Sequence, residues 1–130
     1  MKLHWHIVEN TASNVRTVVS TICINLKTGR IRLNPPAIDL LQLKPKDSIA
    51  FAQDEENPTD WFLKKDAKGF TVTIKNDRGT LSAYINSKKL AYNFMKSISK
   101  TELEYATFKI IPEMKDECYP ILTAHPIKSR

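Results

Sequence analysis

Residues Gly29 to Phe51 read GRIRLNPPAIDLLQLKPKDSIAF, and the fold turns on this stretch. Ile31 and Leu33 alternate with Arg30 and Arg32, so a short strand here has one apolar and one cationic face. At Asn34 the period changes. Asn34 has the chemistry of an N-cap, and Pro35 suits a first helical position, where its missing N–H costs nothing. Ile38, Leu40, Leu41 and Leu43 follow at helical spacing until Lys44-Pro45, which is expected to end the helix. After the turn Pro45-Lys46-Asp47, Ile49 and Phe51 resume alternation. Strand, a helix of about two turns and strand therefore form one compact unit.

Upstream, Leu3, Trp5 and Ile7 alternate with polar residues as a strand, and the Val-, Ile- and Thr-rich run Val15 to Leu26 reads as another, closed into a hairpin by Lys27-Thr28-Gly29. His4 and His6 share a face, but no third ligand follows at a recognised spacing, so they read as surface histidines and no metal site is expected. Downstream, Gln53 to Asp60 gathers Asp54, Glu55, Glu56 and Asp60 around Asn57-Pro58, the composition of a solvated hairpin turn without calcium-loop spacing. Trp61 and Leu63 supply a strand, and Lys64 to Gly69 is the one candidate linker.

Beyond Gly69 the pattern returns. Phe70, Val72 and Ile74 alternate; Asn76-Asp77-Arg78-Gly79 turns the chain; Leu81, Ala83 and Ile85 alternate back. Asn86 stands like Asn34 between a strand and a helical pattern, here Leu90, Phe94 and Ile98 with Tyr92 and Met95. Leu103, Tyr105, Phe108 and Ile110 are extended, Pro112 to Glu117 is a polar turn, and Tyr119, Ile121 and Leu122 form a last strand. Both halves thus spell hairpin, Asn-capped helix, strand, acidic turn, strand. The expected fold is mainly β with two short helices, a barrel built from two pseudo-repeats, residues 1–66 and 67–130, that make one domain by burying each other's apolar faces.

With 130 residues, 42% of them hydrophobic, the chain has material for one core. No apolar run approaches the ~20 residues that cross a bilayer, and the first ten residues lack the apolar stretch of a signal peptide, so a cytoplasmic protein without membrane contact is expected. Cys23 and Cys118 form no disulfide framework and read as free thiols. The sequence has no phosphate-binding glycine loop, nucleophile elbow or metal-ligand spacing, so it is read as a non-enzyme without cofactor. The net charge of +6 favours polyanionic partners.

From about Val15 to Lys65 the chain resembles the AbrB/MazE/SpoVT-type DNA-binding domain. Gly29-Arg30-Ile31-Arg32-Leu33, Pro35-Pro36, Leu41-Gln42-Leu43-Lys44-Pro45 and Asp47-Ser48-Ile49 match, in order, that family's Gly-Arg turn and strand, proline-opened helix, Leu-x-Leu exit and Gly-Asp turn. The second half matches weakly. The resemblance implies a swapped-hairpin β-barrel of two interleaved units, supplied by two chains in a homodimer or, as in the related double-psi barrels, by one chain with an internal pseudo-twofold axis. It also implies duplex DNA as a partner, and Arg30 is the contact that carries over. Departures concern function more than fold: Ile38, Asp39 and Leu40 stand where DNA-binding members often carry helix arginines, Lys46 replaces the turn glycine, and Thr101-Glu102 has no Gly-Asp.

The charges themselves point the same way. Arg30 and Arg32 share a face, Lys27 lies across the turn, and the second hairpin carries Lys75 and Arg78, with Lys88 and Lys89 beyond. Lys27, Arg30, Arg32, Lys75 and Arg78 are the expected DNA contacts of a small transcriptional regulator or antitoxin-like module, gripping phosphates with two basic hairpins. The alternative is the solvated outer face of half-buried sheets, with the barrel serving as a non-catalytic protein-interaction module. Trp5, Trp61, Phe62 and Tyr119 would supply its apolar patch, although core packing also accounts for them.

Overall fold

A computed structural model describes residues 19–130 of the chain. The strand expected over Leu3, Trp5 and Ile7, together with His4, His6 and the start of the Val15 to Leu26 run, lies outside the described residues. The first half comprises β1 (Thr21–Asn25), β2 (Arg30–Leu33), α1 (Pro35–Leu41), β3 (Ser48–Gln53) and β4 (Trp61–Lys65). The second comprises β5 (Phe70–Thr71), β6 (Thr73–Asp77), β7 (Thr80–Asn86), α2 (Lys88–Ser97), β8 (Tyr105–Ile110), β9 (Tyr119–Leu122) and β10 (Lys128–Ser129).

All strand pairs are antiparallel, in the order β5-β3-β4-β9-β8-β1-β2-β7-β6, with β10 on β8. The two ends of this order, β5 and β6, belong to one extended segment broken only at Val72, whose N–H donates to the Asp47 carbonyl at 2.8 Å. One stretch of chain thus leaves β3 and joins β7, and the sheet is a nearly closed barrel. The first strand of each half pairs with the third of the other, β1 with β8 and β5 with β3, so the halves interlock as in a swapped hairpin. Exchanging β1, β2, β3 and β4 for the β5–β6 segment, β7, β8 and β9 returns the same ring of pairings.

Alternation places the core. Ile22, Ile24, Ile31, Leu33, Ile49, Leu63, Ile85, Phe108 and Ile110 point inward, and Ala37, Ile38, Leu41 of α1 and Ala91, Phe94, Met95 of α2 join them in one cluster. Each large side chain so buried contributes about 1.5–3 kcal/mol. Trp61 belongs to this core: its ring lies 5.0 Å from Phe94, which lies 5.3 Å from Phe108, and its Nε1 donates to Ser97 Oγ at 2.7 Å. It is therefore lost to the apolar surface patch expected of an interaction module.

Asn34 caps α1, its Oδ1 accepting from the Ala37 N–H at 3.1 Å. It also ties the helix to β1, accepting from the Thr21 N–H at 3.0 Å and donating through Nδ2 to the Val19 carbonyl at 2.8 Å. The helix ends before Lys44-Pro45. Gln42 turns left-handed at φ 51°, and its N–H reaches the Asp39 carbonyl while that of Leu43 reaches Ile38. This is a Schellman closure with buried Ile38 and Leu43 at its two ends. Lys46 adopts φ 74°, the conformation for which a glycine is expected there.

Two further expectations change. The cap of α2 is Ser87, whose Oγ accepts from the Leu90 N–H at 3.1 Å, because Asn86 is still the last strand residue, opposite Arg30 in the β2–β7 ladder. The expected linker is a tight turn. Lys64 and Lys65 belong to β4, Asp66 accepts from the Lys68 N–H at 2.8 Å, and a Cβ at Gly69 would fall 2.1 Å from the Ile49 carbonyl oxygen. Only backbone without a side chain can pass so close to β3.

Candidate nucleic-acid interface

In an antiparallel sheet, directly opposed residues share a face. One such row crosses six strands from β10 to β6: Lys128, Thr107, Cys23, Arg32, Tyr84 and Thr73. Because Ile22, Ile24, Ile31, Leu33, Ala83 and Ile85 point inward, this row and its neighbours point outward. The neighbouring pairs are Arg30 with Asn86, Asn25 with Tyr105, and Lys75 with Ser82. A cleft of about 540 Å³ opens on the face, lined by Cys23, Asn25, Thr28, Arg30, Arg32, Asn86 and Tyr105. Beside it lies a hollow of about 140 Å³ lined by Arg30, Arg32, Lys75, Asp77, Ser82 and Tyr84.

Arg30 is common to both. Its guanidinium carbon sits 4.0 Å from the centroid of the Tyr84 ring, and its Nε donates to Asn86 Oδ1 at 3.4 Å. A cation over an aromatic face and a side-chain amide together hold the guanidinium in place without neutralising it. Its backbone is held by Gly29. That residue adopts φ 80°, receives the Ser87 N–H at its carbonyl at 2.8 Å, and would place a Cβ 2.6–2.9 Å from Lys88 Cγ, N and Cα. The β1–β2 hairpin of the first half is thereby seated on the start of α2 in the second.

Arg30, Arg32 and Lys75, three of the five expected contacts, come together. The other two do not. Lys27 is exposed in the β1–β2 turn, whereas Arg78 is exposed in the two-residue β6–β7 turn with φ 55°, followed by Gly79 at φ 85°. Since β7 runs antiparallel to β2, these turns lie at opposite ends of the face, and the seven residues from Asn86 to Thr80 alone span roughly 20 Å. The two hairpin tips therefore do not form one grip.

The alternation that set Arg30 and Arg32 on one face also applies to Ser82, Tyr84 and Asn86, which the hydrophobic pattern of β7 defined only by omission. Lys128 left no signal, because β10 is exposed and is held by backbone bonds alone, from the Ile127 N–H to Thr107 and between Arg130 and Tyr105.

The acid-rich turn after β3 is built around Asp54, whose carboxylate accepts from the Glu56 N–H at 2.8 Å, a bond that holds its pKa below the ordinary 3.8. Among the described residues no three His, Cys, Asp or Glu side chains come together as a metal-binding group, and no helix is long and apolar enough to cross a membrane. No family model, curated protein or solved structure matches the chain.

Proposed function

We propose that the protein is a small, non-catalytic DNA-binding regulator or antitoxin-like module of the cytoplasm, which holds duplex DNA against the outer face of β1, β2, β7 and β6. The observation that carries this reading is the convergence of Arg30 and Arg32 on two adjoining hollows, the smaller also lined by Lys75, with Asp77 as the one carboxylate among the described lining residues. Like charges repel when gathered so, and a phosphate backbone offsets that repulsion while releasing its own counterions. Lys27 and Arg78, at the two ends of the face, extend the footprint along the duplex instead of closing on one point. The ring of pairings that survives exchange of the halves supports a pseudo-repeat and hence a monomer with an internal twofold. Its two halves differ in sequence, so an asymmetric operator suits it better than a palindrome. The protein-interaction alternative has Trp61 in the core in place of an exposed anchor.

Duplex binding by fluorescence anisotropy over a salt series tests the reading. Affinity is expected to fall steeply with salt, and Arg32→Ala and Lys75→Ala should each reduce the log–log slope by roughly one unit. Lys68→Ala, which removes a charge from the β4–β5 turn, should leave the slope unchanged. An equal effect of all three substitutions, or none, would reject this face as the interface.

A further inference from the structure

The cleft above Cys23 is set apart by the direction of its hydrogen bonds. The Thr28 N–H donates to Asn25 Oδ1 at 3.0 Å, and Arg30 Nε donates to Asn86 Oδ1 at 3.4 Å. Both partners can only donate, so the assignment of each amide is fixed by chemistry: Oδ1 is the atom that faces the donor, and Nδ2 is the other arm of the amide. Neither Nδ2 has an acceptor among the described residues. Thr28 Oγ1 in turn accepts from the Arg30 N–H at 3.2 Å, which leaves its own hydrogen to donate. With the remaining guanidinium hydrogens of Arg30 and the whole guanidinium of Arg32, the cleft is lined by donor groups from five side chains, and among the described residues no carboxylate lines it.

We infer that this cleft binds a phosphomonoester, the group carried by a mononucleotide or by the phosphorylated end of a nucleic-acid strand. Two guanidiniums match the charge of about −1.5 to −2 on such a group at pH 7, and their planar forks each span two phosphate oxygens. Asp77, at the far side of the adjoining hollow, keeps the anion at the Arg30–Arg32 end. The cleft of about 540 Å³ lies within the range of roughly 300–1,000 Å³ typical of small-molecule sites, so it has room for the nucleoside as well as the phosphate. Tyr105 on its wall offers an aromatic face for the base. The inference shares Arg30 and Arg32 with the duplex reading but does not depend on it, because a mononucleotide occupies the cleft whether or not a duplex docks on the face.

Cys23 is a reporter inside the site, and Cys118, outside it, is the second of the chain's two cysteines. The full chain is treated with neutral iodoacetamide at constant ionic strength, and alkylation of each cysteine is followed by peptide mass. The probes are inorganic phosphate, adenosine monophosphate, a short terminally phosphorylated oligonucleotide, and the same oligonucleotide with a terminal hydroxyl. The three phosphomonoester-type probes should slow Cys23 saturably and leave Cys118 unchanged, with the hydroxyl-ended strand requiring about tenfold more for the same effect. Protection by adenosine monophosphate without the phosphorylated strand identifies a free-nucleotide site, and protection by both identifies one open to strand ends. Arg32→Gln, an exposed position, should raise the half-protecting concentration about tenfold or more. Asn86→Asp, which keeps an oxygen on Arg30 but turns a carboxylate into the cleft, should abolish protection. Equal protection by the two oligonucleotides, no protection by any probe, or protection indifferent to both substitutions would overturn the inference. Duplex anisotropy on the same preparations separates the readings, since loss of duplex binding with Cys23 protection intact removes only the duplex interface.

Discussion

Replacing Gly29 by alanine should be among the most destabilising single-methyl changes in the chain, and the reason is separable into two parts. Gly29 has φ 80°, where an L side chain costs about 1–2 kcal/mol, and the added Cβ would stand 2.6, 2.7 and 2.9 Å from Lys88 Cγ, N and Cα. Two of those three atoms are backbone at the start of α2, so relief requires hairpin and helix to move apart, an overpacking cost of about 1–3 kcal/mol. The sum is about 2–5 kcal/mol. Gly79 supplies the control: its φ is 85°, but no atom lies within 4 Å of its added Cβ. Gly79→Ala therefore carries only the conformational part, about 1 kcal/mol once the reduced entropy of the unfolded chain is counted. In thermal denaturation followed by circular dichroism, Gly29→Ala should melt about 6–25 °C and Gly79→Ala about 3–5 °C below the parent, at about 3–5 °C per kcal/mol for a domain of this size. Adding Lys88→Ala removes the Cγ contact but neither backbone one, so it should not rescue Gly29→Ala. Equal losses at the two glycines, or full rescue by Lys88→Ala, would refute the seating of the hairpin on α2.

The other stability expectations follow from the caps and from the turn carboxylates. Asn34→Ala removes a cap and leaves the Thr21 N–H and the Val19 carbonyl without their partner, about 2–3 kcal/mol in chemical denaturation; Ser87→Ala should cost about 1 kcal/mol and Asn86→Ala no more than about 0.5. A larger loss at Asn86 than at Ser87 would contradict the assignment of the second cap. Asp54 and Asp66 accept backbone N–H bonds from Glu56 and Lys68, which hold both carboxyls below the ordinary 3.8. A carboxyl with a lower folded pKa contributes stability that is present above its unfolded value and lost as pH falls through the folded one, so the melting temperature should decline below about pH 4. The double substitution Asp54→Ala with Asp66→Ala should flatten that decline, and an unchanged acid slope would show that these bonds do not persist in solution.

What the sequence disclosed depended on whether its signal was local. Asn34 before Pro35-Pro36 is a complete helix start within three residues, and it caps the helix as its chemistry demands. Asn86 occupies the same pattern but belongs to β7, because its partner is Arg30, 56 positions away. The uninterrupted alternation of Phe70, Val72 and Ile74 hides a break at Val72, since the change of partner from β3 to β7 there is a tertiary event. Lys64 to Gly69 looked like a linker from its charges and glycine, yet the glycine is required by a backbone contact with β3 that no local pattern encodes. For the face, the alternation of Arg30 and Arg32 was legible, but Lys75 joins them across β7, and the separation of Lys27 from Arg78 follows from the antiparallel run of β7 on β2.

The same ring of strands accounts for where the remaining charge lies. In the order of the barrel, the β4–β9 pair stands opposite the β2–β7 pair. The turns entering β4 and β9 carry Asp54, Glu55, Glu56, Asp60, Glu113, Asp116 and Glu117, half of the fourteen carboxylates in the chain. Thr123 beyond β9 donates to the Thr59 carbonyl at 2.7 Å, which places the β3–β4 turn at the exit of β9, and Lys115 of the β8–β9 turn lines one hollow with Asp60. The carboxylates of these turns are therefore carried by strands across the ring from β2 and β7, with Lys64, Lys65 and Lys115 among them. On the proposed DNA-binding reading, neutralising Glu55 and Glu56, which sit in the turn entering β4 across the ring from β2, should raise duplex affinity at low salt through the net charge while leaving the effects of Arg32→Ala and Lys75→Ala on the salt slope unchanged; a change in either effect in the anisotropy series would refute that separation.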